Sequence, residues 1–280
     1  MNTLQDALRH GIAKGLDRLD AQMLLLHALG RSPHDRAWLL AHDSDALPPE
    51  VSAHWLALVQ RRRAGEPVAY LLGEKEFAGL TLWVDARVLV PRPDTELLLE
   101  WALEALRTSD GTGPARLLDL GTGSGAIALA IATHRPEANI SATDASADAL
   151  TVARSNAQRL GLAVRFAQGA WLAAVPGERF HVIASNPPYI AEGDPHLLAL
   201  THEPITALTA GSDGLNDIRS IVAQSTTALL PGGWLLLEHG HDQSTCVREL
   251  LLEQGFQSVS SRTDLAGIER CSGGQWPGAR

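Results

Sequence analysis

The chain has only two cysteines in 280 residues, Cys246 and Cys271. That is too few for a disulfide framework or a cysteine zinc site. No apolar run approaches the roughly 20 residues that a membrane-spanning helix needs. The opening Met1-Asn2-Thr3-Leu4-Gln5-Asp6 has no basic stretch ahead of an apolar one, so it does not read as a signal peptide. Basic charge is also scarce. The net charge is −9, and residues 1–75 hold nine basic and nine acidic side chains, leaving 14 against 23 for the rest. An acidic remainder is a poor general binder of phosphate backbones. The one dense basic run, Arg61-Arg62-Arg63, reads as a solvated helix end favoured by the helix dipole. His10, His27, His34, His42 and His54 are scattered, so no metal site is expected. These absences leave a cytoplasmic protein without a membrane anchor or direct nucleic-acid partner, and we expect a monomer.

What is present is a chain with 45% hydrophobic residues, enough for a large core and two domains. Residues 1–72 read as a helical bundle. Leu4, Leu8 and Ile12 recur at helical spacing, as do Leu19, Met23 and Leu24 before a Gly30 C-cap. Ser32-Pro33 opens a third helix, and Pro48-Pro49-Glu50 opens a fourth carrying Val51, Trp55, Leu58 and Val59. Residues 73–93 form a hairpin linker, with alternation from Phe77 to Val84. Pro91 to Glu96 introduces a helix from Leu97 to Leu106, with Asp94 or Thr95 as its N-cap. Ser109 to Pro114 reads as a short linker. Residues 94–280 form the second domain, and from Arg116 strands and helices alternate, which predicts a parallel sheet covered on both faces. Strands are expected at 116–120, 139–143, 163–167, 180–185 and 233–238. Helices are expected at 124–134, 146–160, 214–229 and 242–254. Two last strands near 256–262 and 267–276 close the sheet, with an antiparallel edge.

Two loops carry chemistry. Leu117 to Leu120 runs into Gly121-Thr122-Gly123-Ser124-Gly125 and then a helix. Glycines there let backbone N–H groups approach a ligand, and Asp144 ends the next strand, where a carboxylate can accept both hydroxyls of a ribose. Nicotinamide and S-adenosylmethionine sites share these features. The G-x-G-x-G spacing favours S-adenosylmethionine, as does a strand-end Asp119 able to hold an amino group. The second loop, Asn186-Pro187-Pro188-Tyr189, follows the apolar run Phe180 to Ser185. Its prolines fix φ and remove two donors, which makes it stiff. It offers no hydride-acceptor chemistry. Asn186 Oδ1 and the Pro187 carbonyl can each accept one N–H of an –NH2 group, while Tyr189 covers its flat face.

The chain resembles the protein-(glutamine-N5) methyltransferases that modify peptide chain release factors. The resemblance spans nearly its whole length. It is carried by Pro67 to Gly73, Pro91 to Glu96, Leu118-Asp119-Leu120 with Gly121 to Gly125, Asn186 to Tyr189, Gly211 to Leu215, Pro231-Gly232-Gly233 and Glu238-His239-Gly240. It implies an α/β fold: a class I S-adenosylmethionine-dependent methyltransferase domain, Rossmann-like, with a mostly parallel seven-stranded sheet. The N-terminal bundle would dock the substrate. It also implies methylation of the glutamine in the Gly-Gly-Gln motif of class-1 release factors. Gly121, Thr122, Gly123, Ser124, Gly125, Asp144, Trp171 and Asn186 would bind cofactor, with Trp171 near the adenine. Asn186, Pro187, Pro188 and Tyr189 would hold the glutamine, with Asn186, Pro187 and Tyr189 catalytic. The family often has an acid before the Trp171 position, and here Ala170 stands there. The expected cost is modest, since one neutral hydrogen bond is worth about 0.5–1.5 kcal/mol.

An amide nitrogen is a weak nucleophile, so the expected strategy is positioning of its two N–H groups and stabilisation of the positive charge that grows on nitrogen. Arg92 and Glu96 read as a structural ion pair or as shapers of the cleft. Glu203-Pro204 would belong to a loop over the substrate channel. His239 reads as a buried, hydrogen-bonded histidine rather than a general base. Gly273-Gly274-Gln275 repeats the substrate tripeptide, and reads as coincidence rather than as a site of automethylation. The alternative activity is adenine-N6 methylation of nucleic acid, which presents a similar –NH2 group but calls for base flipping and a basic surface.

Overall fold

A computed structural model describes residues 1–107 and 113–278. The expected linker Ser109–Pro114 lies, apart from its last two residues, outside the described residues. The chain divides into two units, residues 1–75 with 199–202, and residues 76–198 with 203–280.

The first unit is helical: α1 (Leu4–Ala13), α2 (Arg18–Ala28), α3 (Arg36–Ala41), α4 (Pro49–Arg63) and α5 (Val68–Leu72). Thr3 and Asp6 form a capping box that starts α1. Leu4, Leu24, Leu25, Leu26, Leu39, Trp55 and Leu58 are fully buried in its core. The register of α1 departs from the expected Leu4, Leu8, Ile12 stripe. Ile12 is exposed, and Gly11 turns inward instead, because Trp55 needs the space: a Cβ on Gly11 would stand 2.7 Å from Trp55 Cζ2. The third helix begins three residues after the expected Ser32-Pro33 opening, where Asp35 accepts from the Trp38 N–H. The short α5 carries no sequence expectation of its own. Arg61 pairs with Glu66 at 2.5 Å and Arg62 with Asp20 at 2.8 Å, so the basic run ends a helix and ties it down locally. His202 joins this unit by donating from Nε2 to the Ala64 carbonyl.

A hairpin of β1 (Glu74–Phe77) and β2 (Leu80–Trp83) turns at Ala78-Gly79, both with positive φ. The expected alternation at Phe77–Val84 thus holds the end of β1, the turn and β2, and β1 begins three residues earlier. After α6 (Thr95–Arg107), the second unit alternates β3 (Arg116–Leu120), α7 (Ala126–His134), β4 (Asn139–Asp144), α8 (Ala147–Leu160), β5 (Arg165–Gln168) and β6 (Phe180–Ser185). It ends with α9 (Asn216–Ala228), β7 (Leu229–Glu238), α10 (Ser244–Glu253), β8 (Gln257–Thr263) and β9 (Glu269–Gln275). The seven-stranded sheet has the order β5-β4-β3-β6-β7-β9-β8. All pairs are parallel except those made by β9. Trp101, Leu117, Leu129, Ile131 and Val182 fill the core on one side, and Leu118, Ile183, Ile218, Ile221 and Leu235 a second core.

β7 starts four residues before the expected 233. Its register against β6 slips between Phe180 and Val182, and Gly232 has φ +80°. The Pro-Gly-Gly break that reads as a loop is therefore a bulge within the strand. The Gly-Gly-Gln repeat lies in β9. A Cβ on Gly273 would stand 2.6 Å from Leu236 Cδ2, one on Gly274 would stand 2.9 Å from Phe256 Cβ, and Gln275 Nε2 donates to the Gly232 carbonyl. Close packing accounts for both glycines.

Candidate active site

Strand order reverses between β3 and β6, and open α/β sheets bind ligands at such a point, beyond the carboxyl ends of the strands. The glycine loop leaves β3 there, and the Asn186 loop leaves β6. Leu120 and Ser185 are partners in register, and Ser185 Oγ donates to the Leu120 carbonyl at 2.8 Å. The two loops thus start side by side.

Gly121, Gly123 and Gly125 all have positive φ, which the tight turn requires. Asp119 lies under this turn and is wholly buried. Its Oδ2 accepts from Thr122 Oγ1 at 2.6 Å and from the Ala128 N–H at 3.2 Å. Oδ2 thus pins the loop to the start of α7, while Oδ1 is buried without a hydrogen-bond partner and keeps an acceptor for the ligand amino group expected there. Burial pushes its pKa up to about 7, and hydrogen bonds from Thr122 and Ala128 only partly oppose this. Asn156 braces the loop from α8, donating to the Ser124 carbonyl and exchanging hydrogen bonds with the Trp83 backbone. Asp144 accepts from the Gly123 N–H with one oxygen and from the Ser146 N–H with the other, both at 2.9 Å.

A cavity of about 290 Å³ opens at the switch point. Gly121, Gly123 and Asp144 line one side, Ala170 and Trp171 another, and Asn186 and Pro188 a third. Trp171 has φ +49°, a costly conformation for a bulky residue. Asp217 also lines the cavity; burial raises its pKa, and the neighbouring Trp171 side chain acts to lower it. A Cβ on Gly121 would meet the Trp171 ring at 3.3 Å, so the glycine leaves a slot beside a flat aromatic wall. Carboxylate, glycine backbone and indole form a donor set that fits S-adenosylmethionine. Thr122, Ser124 and Gly125 do not line the cavity. Thr122 and Ser124 are buried, and Gly125 takes the position that starts α7. They shape the turn.

The Asn186 loop is held from several elements. Asn186 Nδ2 donates to Thr95 Oγ1 at 3.1 Å. Gln243 Nε2 donates to the Tyr189 carbonyl at 2.9 Å and to the Asp213 carbonyl at 3.2 Å. Gly214 is pressed against the same Tyr189 carbonyl, which a Cβ would meet at 2.2 Å. Pro187 is buried and Tyr189 half-buried, and neither lines the cavity. The Tyr189 hydroxyl donates to Glu238 Oε1 at 3.4 Å, and burial drives the phenol pKa upward. Tyr189 is thus a pillar of the loop rather than an open cover.

Arg92 pairs with Glu203 at 2.5 Å, and Glu203 also accepts from the Val90 N–H. The partner of Arg92 is therefore Glu203 and not Glu96, whose Oε1 accepts from the Ala78 N–H instead. Pro204, Thr206 and Ala207 follow Glu203 and line the cavity. His239 is fully buried. Its Nδ1–H donates to the Gly240 carbonyl and its Nε2 accepts from Ser272 Oγ. Burial lowers its pKa, and its placement is the buried, hydrogen-bonded one expected from the sequence. Thr95, Asn156, Asp217, Glu238 and Gln243 have no site role in the sequence reading. For Glu238 a signal existed: a lone acid at the end of an otherwise apolar strand.

Residues 94–208 match the family model described as "Methyltransferase small domain", and residues 6–73 match "PrmC N-terminal domain". A release factor glutamine methyltransferase of Bordetella pertussis is 52% identical over 277 residues, covering 98% of this chain and 99% of that one. Its counterpart in Escherichia coli is 43% identical over 276 residues, with 98% and 97% covered. A solved methyltransferase structure from Pyrococcus furiosus superposes with a TM-score of 0.54 at 22% identity, covering 72% of this chain and 90% of that one, and shares the fold.

Proposed function

Because this chain belongs to the release factor glutamine methyltransferase family, we propose that its Asn186 loop holds a glutamine side-chain amide at the mouth of the cofactor cavity. The chain is an S-adenosylmethionine-dependent protein-(glutamine-N5) methyltransferase of class-1 peptide chain release factors, acting on the Gly-Gly-Gln motif. S-adenosylmethionine, when bound, supplies an electrophilic methyl group. Gly121, Gly123, Asp144 and Trp171 would hold it.

One observation carries the site reading. Asn186 lines the cavity while its amide N–H is committed to Thr95. That leaves Oδ1 as an acceptor for a substrate N–H. Oδ1 and the Pro187 carbonyl hold the two N–H groups of the glutamine and stabilise the charge that develops on its nitrogen. The nitrogen gains a methyl and loses one proton, which passes to solvent. Thr122, Ser124, Gly125 and Tyr189 support the two loops, and Pro188 lines the cavity beside Asn186. The helical first unit, with its own core, docks the protein substrate, and the enzyme works as a cytoplasmic monomer. Among the described residues no helix is long and apolar enough to cross a membrane.

The test is methyl transfer from labelled S-adenosylmethionine to a purified release factor, beside its Gly-Gly-Ala variant and duplex DNA. Label on the wild-type factor alone is the expected result. Label on DNA would replace this reading with adenine methylation.

A further inference from the structure

Glu238 ends β7 and is 1% exposed. Its Oε1 accepts from the Tyr189 hydroxyl, and its Oε2 is buried without a hydrogen-bond partner. The Thr95 side chain lies close enough to this carboxyl group to favour its charged form. Thr95 is the first residue of α6 and is itself buried. Its oxygen accepts from Asn186 Nδ2, so the hydroxyl hydrogen is free to point at Glu238. The donors then run in one direction, from Asn186 to Thr95 to Glu238. A second donor, from Tyr189, reaches the same carboxylate. Both functional ends of the Asn186 loop are therefore tied to one buried acid, which no motif of the glycine loop needs.

We propose that Glu238 is a positioning residue for methyl transfer: as a carboxylate it fixes the Thr95 hydroxyl, and through it the Asn186 amide, so that Asn186 Oδ1 faces the substrate as a strengthened acceptor. This rests on the reading that Asn186 holds the glutamine amide. Hydrogen bonds in a chain polarise one another, most strongly where the end of the chain is charged and water is absent. A neutral Glu238 is itself a donor. It no longer obliges Thr95 to donate toward it, and the preference for one Asn186 orientation weakens.

The charge state of Glu238 is open to pH. Burial pushes its pKa up to about 7; Thr95, Tyr189 and Arg270 act to lower it, and Asp94 to raise it. The groups that face it come from every neighbouring element: Asp94 and Thr95 at the start of α6, Tyr189 in the Asn186 loop, and Arg270 and Cys271 on β9, with Arg92 acting on Tyr189. The carboxylate form grows as pH rises through neutrality, so turnover should rise with it.

The test uses the full chain with a release factor as acceptor and saturating S-adenosylmethionine. It measures kcat and KM from pH 6 to 8.5 for wild type, Glu238→Gln, Thr95→Val and Thr95→Ser, and cofactor affinity by calorimetry. Wild type should show kcat rising about tenfold per pH unit on the acid side and levelling off above neutrality. Glu238→Gln keeps the shape and loses the charge. Its plateau should fall about ten- to a hundredfold, the scale of one hydrogen bond to a charged group, and the acid limb should vanish. KM and cofactor affinity should stay within about twofold. Thr95→Val should reproduce both changes, and Thr95→Ser should restore both the rate and the limb. A wild-type plateau with an unchanged acid limb in Glu238→Gln would overturn the proposal, as would loss of the limb in Thr95→Ser. Absence of transfer to the release factor by wild type at every pH would instead overturn the substrate reading, and this proposal with it.

Discussion

The loops after β3 and β6 leave neighbouring strands at the same edge, yet they are held by opposite means. The glycine loop is held from its own strand–turn–helix unit and the unit that follows it: Asp119 reaches Thr122 three residues on and Ala128 nine residues on, and Asp144 and Asn156 join 21 and 32 residues from their partners. The Asn186 loop is held from a distance. Thr95 lies 91 positions before Asn186, and Gln243 and Glu238 lie 54 and 49 positions after Tyr189. A loop built from local contacts can be read and broken locally. A loop built by convergence should be sensitive to residues that never touch a ligand.

The largest expected effect falls on Asn186→Ala. Removing the acceptor should lower kcat by about 10³-fold, in the range seen when a preorganised electrostatic partner of a transition state is lost. The fold should survive, because the loop keeps its bonds from Gln243 and Ser185. Labelled methyl transfer and cofactor binding, measured together, check this. A variant that loses cofactor affinity and keeps its kcat would assign Asn186 to the glycine-loop side of the comparison.

Next in size is a contrast between two glycines. Alanine at Gly214 would press on the Tyr189 carbonyl at 2.2 Å and on Gln243 Nε2 at 2.8 Å. Something must shift, and with φ at +72° the substitution is strained as well. Gly123 has φ +55° and nothing within 4 Å of its Cβ position. Alanine there costs only the left-handed strain, about 1–2 kcal/mol. At saturating cofactor Gly214→Ala should therefore lose turnover, whereas Gly123→Ala should raise the cofactor KM and keep kcat. The reverse pattern would break the distinction between the loops.

This contrast also explains what was legible in the sequence. Strand β3, the glycine turn and Asp144 are contiguous or nearly so, and their spacing states the architecture. The Asn-Pro-Pro-Tyr loop announces itself through its prolines. Its supports do not, because each is a single polar residue in an unrelated element. Thr95 reads as a helix cap, Glu238 as the end of an apolar strand, and Gln243 as one polar residue in the first turn of the expected helix 242–254. Nothing in local spacing tells that three such side chains converge on one loop. Asp119 is legible in part for the opposite reason. Its position at a strand end suits a ligand contact, and only its complete burial under the turn shows that one of its oxygens also serves the loop. Gly11 in α1 and the bulge in β7 were missed because a distant Trp55 and a neighbouring strand decide them.

Asp119 gives the next prediction. Its folded pKa is pushed up to about 7 from an ordinary value near 3.8. Between those values the folded chain binds more protons than the unfolded one, so this group makes stability fall as pH rises from about 4 to about 7. Asp119→Asn keeps an acceptor for Thr122 and Ala128 and removes the buried charge. In the absence of cofactor it should melt above wild type at pH 8, by at least about 1 kcal/mol, and the gap should narrow toward pH 5. Calorimetric melting at the two pH values checks it. A gap that widens at low pH would contradict a carboxylate held at a cost under the loop.

The smallest effects belong to the adenine end, where the comparison between loops can be sharpened. Ala170 takes the place of an acid, but Asp217 lines the same cavity close to the Trp171 side chain. Ala170→Asp should therefore change cofactor affinity by less than about tenfold, the worth of one hydrogen bond. Asp217→Asn should weaken it by a similar factor. The informative quantity is their coupling. If Asp217 does the work of the missing acid, Ala170→Asp helps more in the Asp217→Asn background than in wild type. Additive effects would mean that the two positions act independently, and that the wall behind Trp171 supports the ring without recognising the cofactor.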